Sequence, residues 1–280
     1  MPLRIEGGDP GDKSAMDLGL GDRACVITGA SRGIGRATAV ALGREGASVL
    51  LVGRSLERLA PAVDACREAG GRPVPFECDV TAPDAGERVL GECLRRFDRI
   101  DALVNNAGTS AVRPLDELTD AEWQEQWELH VMGPMRLMRA CAPAMASRRW
   151  GRIVNVCSSS GKRPSQTNVA YSVTKAAELS LSRAFADRFA ASGVLVNAVA
   201  PGPVAGELWL APGGLAEQAA EARGLGREQV LEATASRTPI GRLGEEHEIA
   251  AVVAFLCSEG ASNVAGAAWS VDGGTVPLII

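Results

Sequence analysis

Long apolar runs are missing from this chain, and no sign of charge dominates it. The longest apolar stretches, such as Ile249 to Cys257, fall far short of the ~20 residues needed to span a bilayer. No secretory leader is visible either. The sequence carries 29 basic against 34 acidic residues, a formal net charge of −5 with no basic block, which speaks against nucleic acid as a partner. The seven cysteines (25, 66, 78, 93, 141, 157 and 257) are odd in number and include no Cys-x2-Cys pair. They read as small buried residues of a cytoplasmic protein rather than as a zinc site or a disulfide framework.

What the chain does have is apolar mass. Its 280 residues are 46% hydrophobic, and α/β domains run to about 250 residues undivided. One domain is expected over 22–280, preceded by a mobile extension, 1–21, rich in Gly, Asp and Pro.

Order should begin with an apolar strand, 24–27, that runs into Thr28-Gly29-Ala30-Ser31-Arg32-Gly33-Ile34-Gly35 and an Ala-rich helix. Glycines at such a junction let the backbone turn sharply and approach a pyrophosphate, whose charge the helix N-terminus stabilises. The spacing, Gly-x3-Gly-x-Gly, differs from the Gly-x-Gly-x2-Gly of many dinucleotide sites, and by itself it is as readily structural as functional. A second strand, 48–52, ends at Gly53-Arg54, where an acid would bind ribose hydroxyls and repel a 2′-phosphate. Arg54, with Arg32 in the glycine turn, instead suits that phosphate and favours NADP(H). Gly53 does not exclude NAD(H), and Arg54 can also be a solvated residue opening the next helix.

A helical pattern over 56–69 leads to a third strand, 73–78, that ends at Asp79-Val80. The Asp79 carboxylate can accept from an adenine amine or cap the following helix, 82–96. A strand at 100–104 then enters Asn105-Asn106-Ala107-Gly108. Strands alternating with helices at this rhythm imply a parallel, doubly wound α/β sheet with ligands at the carboxyl ends of its strands.

The stretch Gly151 to Lys175 carries the chemistry. Ile153, Val154 and Val156 form a β-rich run that delivers Ser158 to its mouth. Asn168 is placed to cap a helix on which Tyr171 and Lys175, four apart, share a face. A phenol titrates near pH 10, and a neighbouring cation favours the phenolate and lowers that value. Tyr171 can then exchange a proton with an alcohol or carbonyl oxygen, and Ser158 can bond the same oxygen. A bare Tyr-x3-Lys is more often just a helix surface.

Taken together, the motifs resemble the short-chain dehydrogenase/reductase family, its 3-oxoacyl reductases in particular. The resemblance rests on Thr28-Gly29-x3-Gly33-x-Gly35, Asn105-Asn106-Ala107-Gly108, Ser158 thirteen residues before Tyr171, Tyr171-x3-Lys175, Pro201-Gly202 and Val271-Asp272-Gly273-Gly274, in family order over 22–280. It implies a single-domain Rossmann-type sheet of about seven strands with helices on both faces, a nicotinamide cofactor and a homo-oligomer, tetramer or dimer. It also implies that Tyr171 is the general acid/base, Ser158 steadies the substrate oxygen, and Lys175 lowers the phenol pKa and binds the nicotinamide ribose. Cofactor contacts are expected from Gly29, Ser31, Arg32, Gly33, Ile34, Gly35, Arg54, Asp79 and Val80. Further contacts are expected from Asn106, Ala107, Gly108, Tyr171, Lys175, Pro201, Gly202 and Val204. No metal is required.

Two positions depart from the family pattern. His130 stands where an asparagine is usual, and can join the proton relay or simply pack. Gly206 replaces a threonine that would bond the nicotinamide carboxamide, a contact left to the Val204 backbone or lost. The long segment 203–240, with Trp209 and its leucines and a helical run from 215 to 235, suits a lid over an apolar carbonyl or alcohol substrate, or else an oligomer contact. Lys162 and Arg163 are placed to meet an anionic substrate or are only solvated. The apolar tail 276–280 is expected to be buried against another subunit. The sequence thus points to an NADP(H)-dependent oxidoreductase acting on a ketone or secondary alcohol. An NAD-linked alcohol dehydrogenase and a non-catalytic nucleotide-binding regulatory protein are the alternatives.

Overall fold

The computed structural model describes residues 17–277. Seven parallel strands, β1 (Ala24–Thr28), β2 (Ser48–Gly53), β3 (Arg72–Glu77), β4 (Ala102–Asn105), β5 (Gly151–Val156), β6 (Val194–Pro201) and β7 (Ala268–Val271), form one sheet in the order 3-2-1-4-5-6-7. The helices between them are α1 (Gly33–Arg44), α2 (Leu56–Glu68), α3 (Ala85–Phe97), α4 (Asp120–Trp127), α5 (Gly133–Ser147), α6 (Ser159–Lys162) and α7 (Val169–Phe189). After β6 come α8 (Glu207–Leu210), α9 (Leu215–Arg223), α10 (Arg227–Arg237) and α11 (Glu246–Leu256). None of these helices is long and apolar enough to cross a membrane.

Alternation along the central strands explains why helices cover both faces. In β1, Cys25 and Ile27 enter one core cluster with Leu42 of α1 and Val253 of α11, while Ala24 and Val26 enter the other with Val89 of α3 and Met138 of α5. β1 is thus apolar on both sides, the pattern of a buried parallel sheet. All seven cysteines are buried and unpaired.

The edge strand β3 behaves differently. Its even-numbered residues face β2, since Arg72 and Cys78 donate their N–H groups to Ala47 and Gly53 at 2.9 Å each. Pro73 and Pro75 therefore point their donor-less nitrogens at the open edge, where they cost no ladder bond.

Strand order reverses between β1 and β4, which opens a crevice at their carboxyl ends. The expected elements lie within one to three residues of their observed ends, with two exceptions. The helical run read over 215–235 is two helices, because Gly224 takes φ +64 and ends α9 before α10 starts. Leu20, inside the stretch read as an extension, is fully buried in the core. Residues 1–16 and Leu278, Ile279 and Ile280 of the apolar tail lie outside the described residues, where Val276 is 9% exposed.

Candidate active site

The crevice is a cleft of about 1230 Å³. One wall is the glycine turn after β1, whose three glycines do different work. Gly33 adopts φ +60, a left-handed conformation, while a Cβ on Gly29 would lie 2.8 Å from the Ala107 Cα. Gly35 does not line the cleft; a side chain there would strike the Gly29 carbonyl and the Asn106 amide. The Asn106 side chain donates to the carbonyls of Thr28 and Gly29 at 2.9 and 3.1 Å, so it holds the turn in place. The Thr28 hydroxyl accepts the N–H groups of Asn106 and Ala107 at 3.0 Å each. Below the turn, Arg32 is the N-cap of α1 but gives it no side-chain cap, and the helix's first N–H groups remain available to an anion.

Ser31, Arg32, Ile34, Val80, Ala107 and Gly108 line the same wall, with Arg54 and Asp79 beyond them. The two arginines differ. Arg32 is paired with Glu207 of α8 at 3.2 Å, whereas Arg54 is exposed and has no ion-pair partner among the described residues. Asp79 does not cap α3, whose N-cap is Asp84; its Oδ1 accepts the Thr81 N–H and hydroxyl at 2.9 and 2.8 Å. Partial burial works against that carboxylate, but the Thr81 bonds outweigh it and keep it below its usual range.

The floor is made where β5 ends and α7 begins. Ser158 and Tyr171 line the cleft together, with Ser158 near enough to favour the phenolate, and the Lys175 ammonium lies 5.7 Å from the phenol ring centroid. Asn168 occupies the N-cap position of α7, but its amide donates to the Ser110 hydroxyl at 3.1 Å instead of serving the helix. Lys175 does lower the phenol as expected, but the net shift of Tyr171 is upward. Burial raises Tyr171, and Lys175 and Ser158 pull it back only in part. One reason is a residue that motif reading missed. Lys175 donates to Glu178 Oε2 at 2.7 Å and to the Val156 carbonyl at 2.9 Å, so a buried carboxylate answers its charge.

His130 lies behind the floor, in a π-helical turn, Glu128–Met132, of the kind often found beside functional sites. It is fully buried and does not line the cleft. Its Nε2 accepts the Thr109 N–H at 3.2 Å, which places its proton on Nδ1, 3.3 Å from the Thr174 hydroxyl. That hydroxyl donates to the Tyr171 carbonyl at 2.9 Å. Burial, then Lys175, hold His130 well below the usual histidine range, so it is neutral and packs edge-on to Tyr171 with ring centroids 5.2 Å apart. A second buried chain ties strands to helix. Asn105 donates to Asn155 at 2.7 Å, Asn155 to Ser182 at 2.7 Å, and Ser182 to the Glu178 carbonyl at 2.8 Å.

Over the mouth lie Pro201, Gly202, Val204 and the helices α8 and α9, from which Leu208, Trp209 and Leu215 face the cleft. Leu210 does not reach it. Gly206 leaves a space filled by the Glu246 carboxyl, which a side chain at 206 would strike. The Val204 carbonyl is taken by the Gly206 N–H at 2.8 Å. Lys162 does not face the cleft, since its ammonium bonds the Ala268 carbonyl and the Ser270 hydroxyl at 2.7 and 2.9 Å. Arg163 is likewise absent from the lining.

A family model described as Enoyl-(Acyl carrier protein) reductase matches residues 29–276. A 3-oxoacyl-[acyl-carrier-protein] reductase of Thermotoga maritima is 33% identical over 263 residues, covering 92% of this chain and 99% of that protein. An A-factor type gamma-butyrolactone 1′-reductase of Streptomyces virginiae is 37% identical over 260 residues, covering 91% of this chain and 96% of that one. The crystal structure of L-sorbose reductase from Gluconobacter frateurii, complexed with NADPH and L-sorbose, superposes with a TM-score of 0.87. It is 34% identical and covers 94% of this chain and 100% of its own. With the sheet order, the glycine turn and the Ser158–Tyr171–Lys175 floor, these matches place the chain in the short-chain dehydrogenase/reductase family of oxidoreductases.

Proposed function

We propose that the protein is an NADP(H)-preferring reductase that converts a ketone to a secondary alcohol, with Tyr171 as the proton donor. The observation that carries this reading is the convergence of Ser158, Tyr171 and Lys175 on the floor of a cleft walled by the glycine turn, with the Lys175 ammonium 5.7 Å from the phenol ring centroid. A dinucleotide fits that wall, since the first N–H groups of α1 are uncapped and Gly33 keeps the turn low. When bound, the nicotinamide supplies the hydride.

The protein's own residues do the rest. Ser158 donates to the carbonyl oxygen and orients it. Tyr171, raised by burial and therefore protonated at neutral pH, gives that oxygen its proton. Lys175 stabilises the phenolate left behind and has a third N–H free for a ribose hydroxyl. Leu208, Trp209 and Leu215 keep water from the reacting carbon. Ser110, Ser160 and Asn168 also line the cleft, so the substrate meets polar as well as apolar groups.

Arg54 is the phosphate-selecting residue, being the arginine without an ion-pair partner at the end of β2. The test is consumption of NADPH and NADH in parallel over ketones from 3-oxoacyl thioesters to sugar-like ketones. NADPH turnover that Arg54→Ala weakens by about tenfold or more, with NADH unaffected, is the expected result. Equal loss with both cofactors removes the phosphate assignment. Cofactor binding without turnover of any ketone removes the reductase reading.

A further inference from the structure

The catalytic helix carries a carboxyl group to which proton transfer assigns no task. Glu178 lies one turn beyond Lys175 on α7, is 1% exposed, and accepts from the ammonium at 2.7 Å. The Cys157 thiol, which burial keeps protonated, neighbours the same carboxyl from the residue before Ser158. Through Lys175, which also donates to the Val156 carbonyl at 2.9 Å, Glu178 is tied to the end of β5. A buried charge is expensive unless paired, and an apolar side chain would fill such a place without that cost.

The charges around it define what it does. Lys175 and Tyr171 bear on Glu178 from α7, and Cys157 from the end of β5. Beyond the lysine, His130 is neutral, and Lys162 of α6 is turned away to β7. A phenolate at Tyr171 is thus attracted by one buried ammonium and repelled by one buried carboxylate, with little water between to screen either.

We propose that Glu178 is a positioning residue that pins the Lys175 ammonium against the end of β5 and cancels part of its charge at Tyr171. The phenol then keeps its proton, the form that serves carbonyl reduction, up to higher pH. This rests on the proton-donor role given to Tyr171 above.

Tyr171 is the only tyrosine among the 280 residues, so tyrosinate absorbance in an ultraviolet difference titration reads it alone. The measurement needs neither cofactor nor turnover. Glu178→Gln is expected to lower the titration midpoint by about one pH unit or more, roughly tenfold in the ionisation constant. Glu178→Asp, which keeps the charge, should stay near the wild-type midpoint. The alkaline limb of the reduction rate should move down in step with the titration.

An unmoved or raised midpoint in folded Glu178→Gln overturns the proposal. If that variant does not fold, the wild-type protein decides: a midpoint at or below that of free tyrosine overturns it equally. A midpoint that falls as stated, with no ketone reduced by any form, keeps Glu178 as the tuning group and rejects the reductase reading instead.

Discussion

The floor and the roof of the cleft are built on opposite terms. On the floor, Lys175, Glu178, Asn155 and His130 are each at most 3% exposed, and every one bonds a neighbour on another segment or on α7. On the roof, the tie between the glycine turn and α8 is the Arg32–Glu207 pair, whose side chains are 57% and 46% exposed. The roof's own core is a small cluster of Ala219, Ala220 and Val230 backed by Val112. The same kinds of group therefore act strongly below, where water is excluded, and weakly above, where it screens them. The floor is thus held rigidly, while the roof is left easy to move.

The contrast can be tested from its strongest point downward. Tyr171→Phe should lower turnover by about 10²- to 10⁴-fold while leaving cofactor affinity and thermal unfolding near wild type, as steady-state rates and calorimetry would show. Turnover within a fewfold of wild type would mean that the floor is scaffold only. Asn155→Ala removes the link between β4, β5 and α7 and leaves the Asn105 amide and Ser182 hydroxyl short of a partner. It should cost about 2–3 kcal/mol in denaturant unfolding.

A third test uses acid. His130 has a lowered pKa in the folded state, so the unfolded chain binds the extra proton first as pH falls through its ordinary value of about 6.5. Its contribution to stability is complete above that value and is lost below it, at up to about 1.4 kcal/mol per pH unit, until the folded-state value is reached. His130→Asn should flatten this acid slope in unfolding midpoints measured between about pH 5 and 7. The smallest effect belongs to the roof. Glu207→Gln should change stability by less than about 1 kcal/mol, and added salt should erase the difference. A larger, salt-resistant loss would place the roof on the floor's terms.

The site was legible in sequence wherever it depends on local spacing. Tyr171 and Lys175 meet because they are four apart on one helix, and the glycine turn is contiguous, so both could be read without a fold. Glu178 was not legible, although it is only three residues from Lys175. Its meaning depends on burial, and nothing in the sequence says that this face of α7 is dry. The same holds for Tyr171, whose attraction by a lysine can be read from spacing, while the desolvation that outweighs it cannot.

Asn155 and Glu246 depend on partners 50 and 40 residues away, Asn105 and Gly206, which only the folded sheet brings near. By sequence Lys162 is placed to meet an anion or solvent, whereas the fold supplies it with acceptors on β7. The lid segment was legible as a long insertion, whereas its division at Gly224 turns on one left-handed residue.

The prolines of β3 bear on the company this sheet can keep. A strand from another chain that aligned itself along that border would meet carbonyl acceptors, yet at Pro73 and Pro75 no hydrogen to answer its own carbonyls. Recruitment of further chains into a growing ribbon stalls there, even when the protein is crowded. The border strand is in this sense a selvedge, woven so that the sheet does not run on into its neighbour.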